Sequence, residues 1–325
     1  MREVWPQLLL PLAILGAPTP AAAAATWPSD PITLVVPFAA GGALDVVSRL
    51  VATRLGSALG GRIVVDNRAG AGGTIGLSLA SKARPDGYTL VTVSDVITIL
   101  PYVYRDLTFN VQTSFTSIAM LTTQPLVLAV NTALPAKTVA EFIVLAKARP
   151  GALSFATSGI GTQQHLTGEL IKMVAGINMT HVPYKGGGQA IVDLAGGQVP
   201  AAVLGSSTVI PQVRAGKVRI LAVTSTRRSL ALPDVPTLAE SGLQGFDVSQ
   251  WLALLGPANL PPSIVERLNA QIKAILESAD FQKRLLELGF EAAPTSPQGL
   301  ENQIRQGLDR WGRLIKDQHI KFDNY

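Results

Sequence analysis

The chain has 325 residues, 47% of them hydrophobic and 15% charged, with a formal net charge of +5. This composition supplies a core for one or two domains and excludes a chain too polar to fold. The charge is mild, and no long Lys/Arg run concentrates it, so a nucleic-acid partner is not expected. The absence of cysteine excludes disulfides and thiolate chemistry, and three histidines argue against a metal site.

The first element is residues 1–25. Arg2 gives a thin positive end, Leu8 to Leu15 an apolar centre broken by Pro11, and "APTPAAAAAT" several small-residue cleavage options ending near Ala25. This reads as a secretory signal peptide. No later apolar run reaches the ~18 residues of a membrane span, so a soluble, periplasmic mature protein is expected.

Three units of strand, glycine loop and helix follow. "ITLVVPF" (Ile32 to Phe38) is a strand and "AAGG" breaks it. "ALDVVSRLVATRLGSAL" then carries apolar residues at Leu44, Val47, Val51, Leu55 and Leu59, which is helical spacing. Gly60 and Gly61 stop the helix as a C-cap does, and "RIVVDN" is the next strand. The second unit is "LSFATS", the loop "GIGT" and the helix "QQHLTGELIKMVAG", with Leu166, Leu170, Met173 and Val174 expected on its apolar face, then the strand "MTHVPY". The third is "KGGG" and the short helix "QAIVDLAGG".

Such alternation predicts α/β structure with parallel-rich sheets. Two sheets are expected, with "PLVLAVN" (Pro125 to Asn131) and "SQWLALLGP" (Ser249 to Pro257) crossing between them. Lobe 1 is then 26–125 plus 250–325, lobe 2 is 126–249, and the C-terminal helices from Pro262 onward pack back on lobe 1. A lobe inserted between two crossings is the connectivity of a hinge protein.

The glycines match no nucleotide motif. G-x-G-x-x-G fails at Gly70, at Gly159 and at Gly186, and Gly216-Lys217 is followed by Val218 where a phosphate loop needs Ser or Thr. No G-x-S-x-G elbow is present, and Ser158 with His165 lacks a third member for a hydrolase. Each loop does end at a helix N-terminus, where backbone N–H groups lack partners and the macrodipole is positive, so it suits an anion without any basic side chain. One such loop per lobe would make a clamp.

Individual residues keep two readings each. Asp45 orders its own loop or holds a water. Thr157, Ser158 and Thr162 cap helices or meet the ligand. His165 hydrogen-bonds a carboxylate or simply packs. Tyr184 points its hydroxyl into the cleft or is a half-buried core aromatic. Lys185 adds charge or is solvated. Phe38 and Trp251 are candidate apolar walls, and "NRAGAGGTIG" reads as a tight strand-to-helix turn.

"PITLVVPFAAGGALDVVSRL", "VVDNRAGAGGTIG", "ARPDGYTL", "SFATSGIGTQQHLTGEL", "HVPYKGGGQAIVDLAGGQV", "AGKVRILAVTS" and "LPDVPTLAESG" together resemble the Bug-type receptors, the extracytoplasmic solute-binding proteins of tripartite tricarboxylate transporters. The resemblance runs from about Pro31 to the C-terminus. It implies a two-lobed periplasmic-binding-protein fold, type II-like, with a ligand cleft between lobes, no catalysis and no cofactor. It implies a small carboxylate ligand and, as partner, a membrane permease of a large and a small subunit; a monomer is expected. The first loop, Phe38, Ala39, Ala40, Gly41 and Gly42 with Asp45, would hold the carboxylate. Thr157, Ser158, Gly159, Gly161, Thr162 and His165 would oppose it, bordered by Tyr184, Gly186 and Gly187. Ser94 completes the ligand-binding candidates.

The chain departs from the family pattern after "GGQV", where Pro200 replaces an acid, and at Val203-Leu204, where Phe-Asp is usual. "TFNVQTSFTSIAML" likewise lacks the usual acids. With the acid at Leu204 gone, a plain or aromatic carboxylate is expected rather than an amino acid. Alternatives are a ligand-sensing partner of a membrane signalling receptor and a secreted enzyme using the same cleft.

Overall fold

Strands and helices alternate from Ile32 onward in the computed structural model, which describes residues 1, 27–318, 320 and 322. The segment read as a signal peptide lies, Met1 apart, outside them. In chain order the elements are β1 (Ile32–Val36), α1 (Ala43–Leu59), β2 (Ile63–Asn67), α2 (Thr74–Ser81), β3 (Thr89–Ser94), α3 (Leu100–Val103) and β4 (Phe115–Asn131). Then come α4 (Val139–Ala148), β5 (Ser154–Thr157), α5 (Gln163–Ala175), β6 (Thr180–Pro183), α6 (Gly187–Ala195), β7 (Ala201–Gly205), α7 (Ser206–Arg214) and β8 (Val218–Val223). The chain closes with β9 (Ser249–Pro257), α8 (Pro262–Glu277), α9 (Ala279–Glu287), β10 (Glu291–Ala292) and α10 (Pro297–Asp317).

The two expected sheets share one strand. β4 is 17 residues long, against the short crossing expected from Pro125, and its two halves have different partners. Phe115 to Pro125 pair with β9, and Leu126 to Asn131 lie between β7 and β8. Proline stands at the changeover, where its missing N–H costs least to the ladder. The return crossing is equally abrupt: Val248 donates to Thr224 O at 3.0 Å, and Ser249 then opens β9.

Strand direction decides where a site can lie. β1, β2 and β3 are parallel, β3 is antiparallel to β9, and β9 is antiparallel to β4. So β4 leaves the first sheet at the carboxyl ends of β1 and β3. In the second sheet β5, β6 and β7 are parallel and β4 runs against them, entering at their carboxyl ends. The loops after β1, β3, β5, β6 and β7 therefore converge on the region between the sheets, the side on which open α/β sheets bind ligands.

Each sheet is covered on both faces. α1, α8 and α9 pack on one face of the first sheet, α2 and α10 on the other. The predicted stripe of α1 is buried as spaced, from Leu44 to Leu59. α10 buries Leu300, Ile304, Leu308, Trp311 and Leu314, and its last turns reach the core of the second sheet. Each such side chain contributes ~1.5–3 kcal/mol on burial. Along β4, Leu126, Leu128 and Val130 face α4 and α5, while Val127 and Ala129 face α6 and α7, the two-residue alternation of a strand.

α5 differs from its expected orientation. Leu166 is buried, but Ile171 and Ala175 complete the inner face, while Met173 and Val174 are exposed. The cause is Gly168, which faces Phe155 so closely that a Cβ would lie 2.1 Å from Phe155 Cε2. The helix presents its smallest residue to the sheet, and that sets its rotation.

Candidate functional site

The loop after β1 is built around Asp45. Gly41 takes a left-handed conformation (φ 84°) that suits glycine. Gly42 is the extended N-cap of α1, and no side chain caps the helix. Asp45 Oδ2 accepts from Gly41 N at 2.8 Å and from Arg49 Nε at 3.0 Å, and Oδ1 accepts from Asn67 Nδ2 at 2.9 Å. The same Asn67 amide donates to Phe38 O at 3.0 Å. Burial pushes the Asp45 carboxyl up, but the hydrogen bonds from Arg49, Gly41 and Asn67 outweigh it and hold the group at about 2. Asp45 is thus a buried brace, while Ala39, Ala40, Gly41 and Gly42 are exposed. The first helical bond is Val46 N to Gly42 O at 2.9 Å, so the amides of the first turn have no intrahelical acceptor.

The loop after β5 repeats the geometry with other residues. Gly161 is left-handed (φ 72°), and Thr162 is the extended N-cap of α5. Gly161 N donates to His165 Nδ1 at 3.3 Å. Thr162 Oγ1 accepts from His165 N at 3.3 Å and donates to Gly159 O at 2.7 Å. Thr157 Oγ1 accepts from Gly159 N at 3.2 Å and shares a 2.7 Å hydrogen bond with His181 Nε2. His165 stacks on His181, centroids 4.0 Å apart and planes 10° from parallel. Burial lowers both imidazoles below their usual range, and His165 and Lys172 add to burial in taking His181 to about 3.

The loop after β6 is tied to this one. Tyr184 N donates to Thr157 O and Gly186 N to Ser158 O, both at 3.1 Å. Gly186 (φ 122°) is the N-cap of α6, and Gly187 opens that helix against Thr208. The Tyr184 hydroxyl donates to Asp193 Oδ2 at 2.8 Å, and burial with this acid raises the phenol to about 12. Tyr184 is half-buried, its hydroxyl taken up by Asp193 of α6. Lys185 is exposed.

α3 connects the loops across the gap between the sheets. A Cβ at Gly161 would lie 2.9 Å from Val103 Cγ2, one at Gly72 2.6 Å from Tyr104 Oη, and one at Gly73 3.3 Å from Phe38 Cζ. These close approaches run from the second-sheet loop, over α3, to the turn at 70–73 and on to the first-sheet loop. Ser94, half-buried, ends β3 and precedes the turn Asp95–Thr98 on the same side, without a side-chain capping bond. Trp251 is buried against α10 in the core of the first sheet and borders a cavity that it shares with Thr98, Gln163 and Ser249.

A fourth unit escaped the sequence reading. β7 runs through Gly205 straight into α7, whose N-terminus is capped from the crossing strand. Gln124 Oε1 accepts from Ser207 N at 3.0 Å and from Ser206 Oγ at 3.3 Å, and Gln124 Nε2 donates to Gln250 Oε1 at 3.3 Å. The Gly205-Ser206-Ser207 run was the available signal.

The chain therefore brings the N-terminus of α1, behind an exposed loop, and those of α5 and α6 to the side of the sheets on which their loops converge, with Gln163 and His165 of the first α5 turn buried. Each helix end favours a nearby anion by ~0.3–1 kcal/mol through its dipole. Among the described residues no cluster of acids and histidines could hold a metal, and no helix is long and apolar enough to cross a membrane.

Comparison with known proteins agrees with this architecture. Residues 47–320 match the family model described as "Tripartite tricarboxylate transporter family receptor". Protein BugT of Bordetella pertussis is 35% identical over 302 residues, covering 91% of each chain. The structure of Rhodopseudomonas palustris Rpa4515 with adipate superposes with a TM-score of 0.82 at 36% identity, over 89% of this chain and 97% of that one. MatC of the same organism with bound malate gives 0.78 at 31% identity, over 89% and 100%. The fold is that of the two-lobed periplasmic binding proteins, and the chain belongs to the tripartite tricarboxylate transporter receptors, a family of solute-binding proteins rather than enzymes.

Proposed function

We propose that this protein is a periplasmic receptor that captures a small carboxylate between the 38–45 and 157–165 loops and delivers it to a membrane permease of large and small subunits. The observation that carries the reading is the pair of helix N-termini, α1 and α5, each presented by a left-handed glycine and an extended cap. The adipate and malate bound to the two Rhodopseudomonas palustris relatives support a carboxylate as the ligand.

The lobes are 26–125 with 250–325, and 126–249, and they close about Pro125 and Ser249. A ligand touching both loops stabilises the closed arrangement. The ligand-binding set is Phe38 to Gly42, Ser94, Thr157 to Gly159, Gly161, Thr162, Gly186 and Gly187, with Asp45, His165 and Tyr184 behind it. Leu204 is 1% exposed, in the core under α6. With leucine there, nothing at that position offers an acid to an ammonium group, which favours a plain or aromatic carboxylate over an amino acid.

A thermal-shift screen of di-, tri- and aromatic carboxylates beside aspartate and glutamate tests both statements. A ligand at 100 times its Kd adds ~2.7 kcal/mol to stability. A flat response to every carboxylate overturns the reading. A shift with aspartate alone keeps the receptor and overturns the ligand class.

A further inference from the structure

We propose that His165 is the positioning residue of the second-lobe loop: its Nδ1 accepts the Gly161 amide as the Asp45 carboxylate accepts that of Gly41, and the ligand meets the amides beyond it, not the imidazole. Only the last clause rests on the receptor reading above.

The two loops share one glycine, Gly41 and Gly161, and the backbone around it. In each, a left-handed glycine (φ 84° at Gly41, 72° at Gly161) precedes an extended cap (φ −76°, ψ 167° at Gly42; φ −83°, ψ 159° at Thr162). In each, the side chain four residues after that glycine takes its N–H, at 2.8 Å in the first loop and 3.3 Å in the second. Without an internal acceptor, the glycine amide would turn toward water or ligand and the loop would lose its fixed outline.

The acceptor chosen fits its neighbour one turn on. Asp45 lies one turn before Arg49, which pairs with it at 3.0 Å. His165 lies one turn before Glu169, which is engaged by Lys172 at 2.7 Å. A carboxylate at 165 would meet a like charge at the i,i+4 spacing that destabilises helices; an uncharged ring nitrogen does not. Nδ1 accepts only without a proton, so the proton of the neutral ring sits on Nε2.

A column of rings fixes the plane of that imidazole. His181 stacks on His165, and Phe155 on His181 with centroids 5.0 Å apart. Thr157 Oγ1 holds His181 at Nε2, and Phe322 meets His165 edge-on at 6.5 Å. The charged groups near the column are Glu169 and Lys172 of α5.

The test needs three variants and the amide exchange of Gly161 in the ligand-free protein. His165→Asn keeps an acceptor and loses the stack; His165→Phe keeps the stack and loses the acceptor; His165→Asp restores the Asp45 chemistry beside Glu169. Gly161 exchange is expected near wild type in Asn, faster in Asp, and about tenfold or more faster in Phe, the loss of one net hydrogen bond. Adipate affinity should fall in the same order. Unchanged exchange in His165→Phe, or a loss in Asn with none in Phe, overturns the proposal. So does a 15N spectrum of the wild type that places a proton on Nδ1, a reading that needs no variant to fold. If exchange behaves as expected and no carboxylate binds, the positioning role stands and the receptor reading falls.

Discussion

Glu291 Oε1 accepts a 2.7 Å hydrogen bond from Ser229 Oγ and a 2.9 Å bond from Leu230 N. β10, paired with β4 at Thr122 and Thr123, is thereby fastened to the segment between β8 and β9. Glu291 as a whole is 8% exposed. Glu291→Ala leaves two donors without an acceptor and is expected to cost ~1–3 kcal/mol in urea denaturation. Glu291→Gln retains an acceptor and should cost less. An alanine variant as stable as the wild type would show that the strap carries no load.

Gly42 has φ −76°, within the range proline imposes, and a Cβ there meets nothing closer than Ala39 O at 3.6 Å. Gly42→Pro therefore removes one amide from the first loop with α1 intact. Circular dichroism should match the wild type while carboxylate affinity falls about tenfold or more, one charge-assisted hydrogen bond. Undiminished affinity would remove this amide from the site.

Asp45 sets an acid limit. Its carboxyl titrates at about 2 in the fold against an ordinary 3.8. Unfolding exposes a group that binds its proton more readily, so its contribution is complete above pH 4 and is lost as pH falls toward 2. The amount is ~2 kcal/mol. Asp45→Asn should flatten the stability profile between those values; a profile as steep as the wild type's would place the acid lability elsewhere.

Asp95 acts in the opposite sense. Burial raises its carboxyl to about 7, against the amides of Asp95 and Trp251 that donate to it. The folded state keeps a proton that the unfolded chain releases near 3.8, so stability declines as pH rises from about 4 to 7. Asp95→Asn removes the penalty and should be the more stable protein at pH 8, by up to ~4 kcal/mol. Equal melting at pH 5 and pH 8 in the wild type would contradict this.

Gly205 adjoins the glutamine pair: a Cβ there would lie 2.6 Å from Gln250 Oε1 and 2.9 Å from Gln124 Nε2. Gly205→Ala must push the pair aside and uncap α7, at ~1–2 kcal/mol. Gln124→Ala should cost a similar amount, and the two should not add. Additive losses would separate the glycine from the cap.

Much of this was legible in the sequence because it is local. The spacing of α1, its stop at Gly60 (φ 71°) and the glycine loops before α5 and α6 were read from near neighbours alone. The first half of β4 was not legible. "FTSIAMLTTQ" mixes polar and apolar residues, and two of its three threonines bond across to β9, Thr116 Oγ1 to Pro257 O at 2.9 Å and Thr123 Oγ1 to Gln250 O at 3.2 Å. β7 is five residues buried throughout, too short and uniform to show a period. Asp45 appeared with its bracing role as one of two readings, since its glycine partner lies four residues away. The packing of His165 depends on His181, one strand over in space, and no spacing rule reveals a stack between strand and helix.

The continuity of β4 has a mechanical consequence. Two bodies joined by slack linkers can rest at any angle; two bodies sharing a hydrogen-bonded strand cannot. On the lobe division proposed above, parting the lobes would flex β4 about Pro125, together with the adjoining start of β9, and a bent sheet resists in proportion to the bend. Such a joint would behave as a leaf spring with one preferred angle. Ligand-free molecules should return to a common gape after each excursion, and the work of holding the jaws shut would be set by the stiffness of two strands.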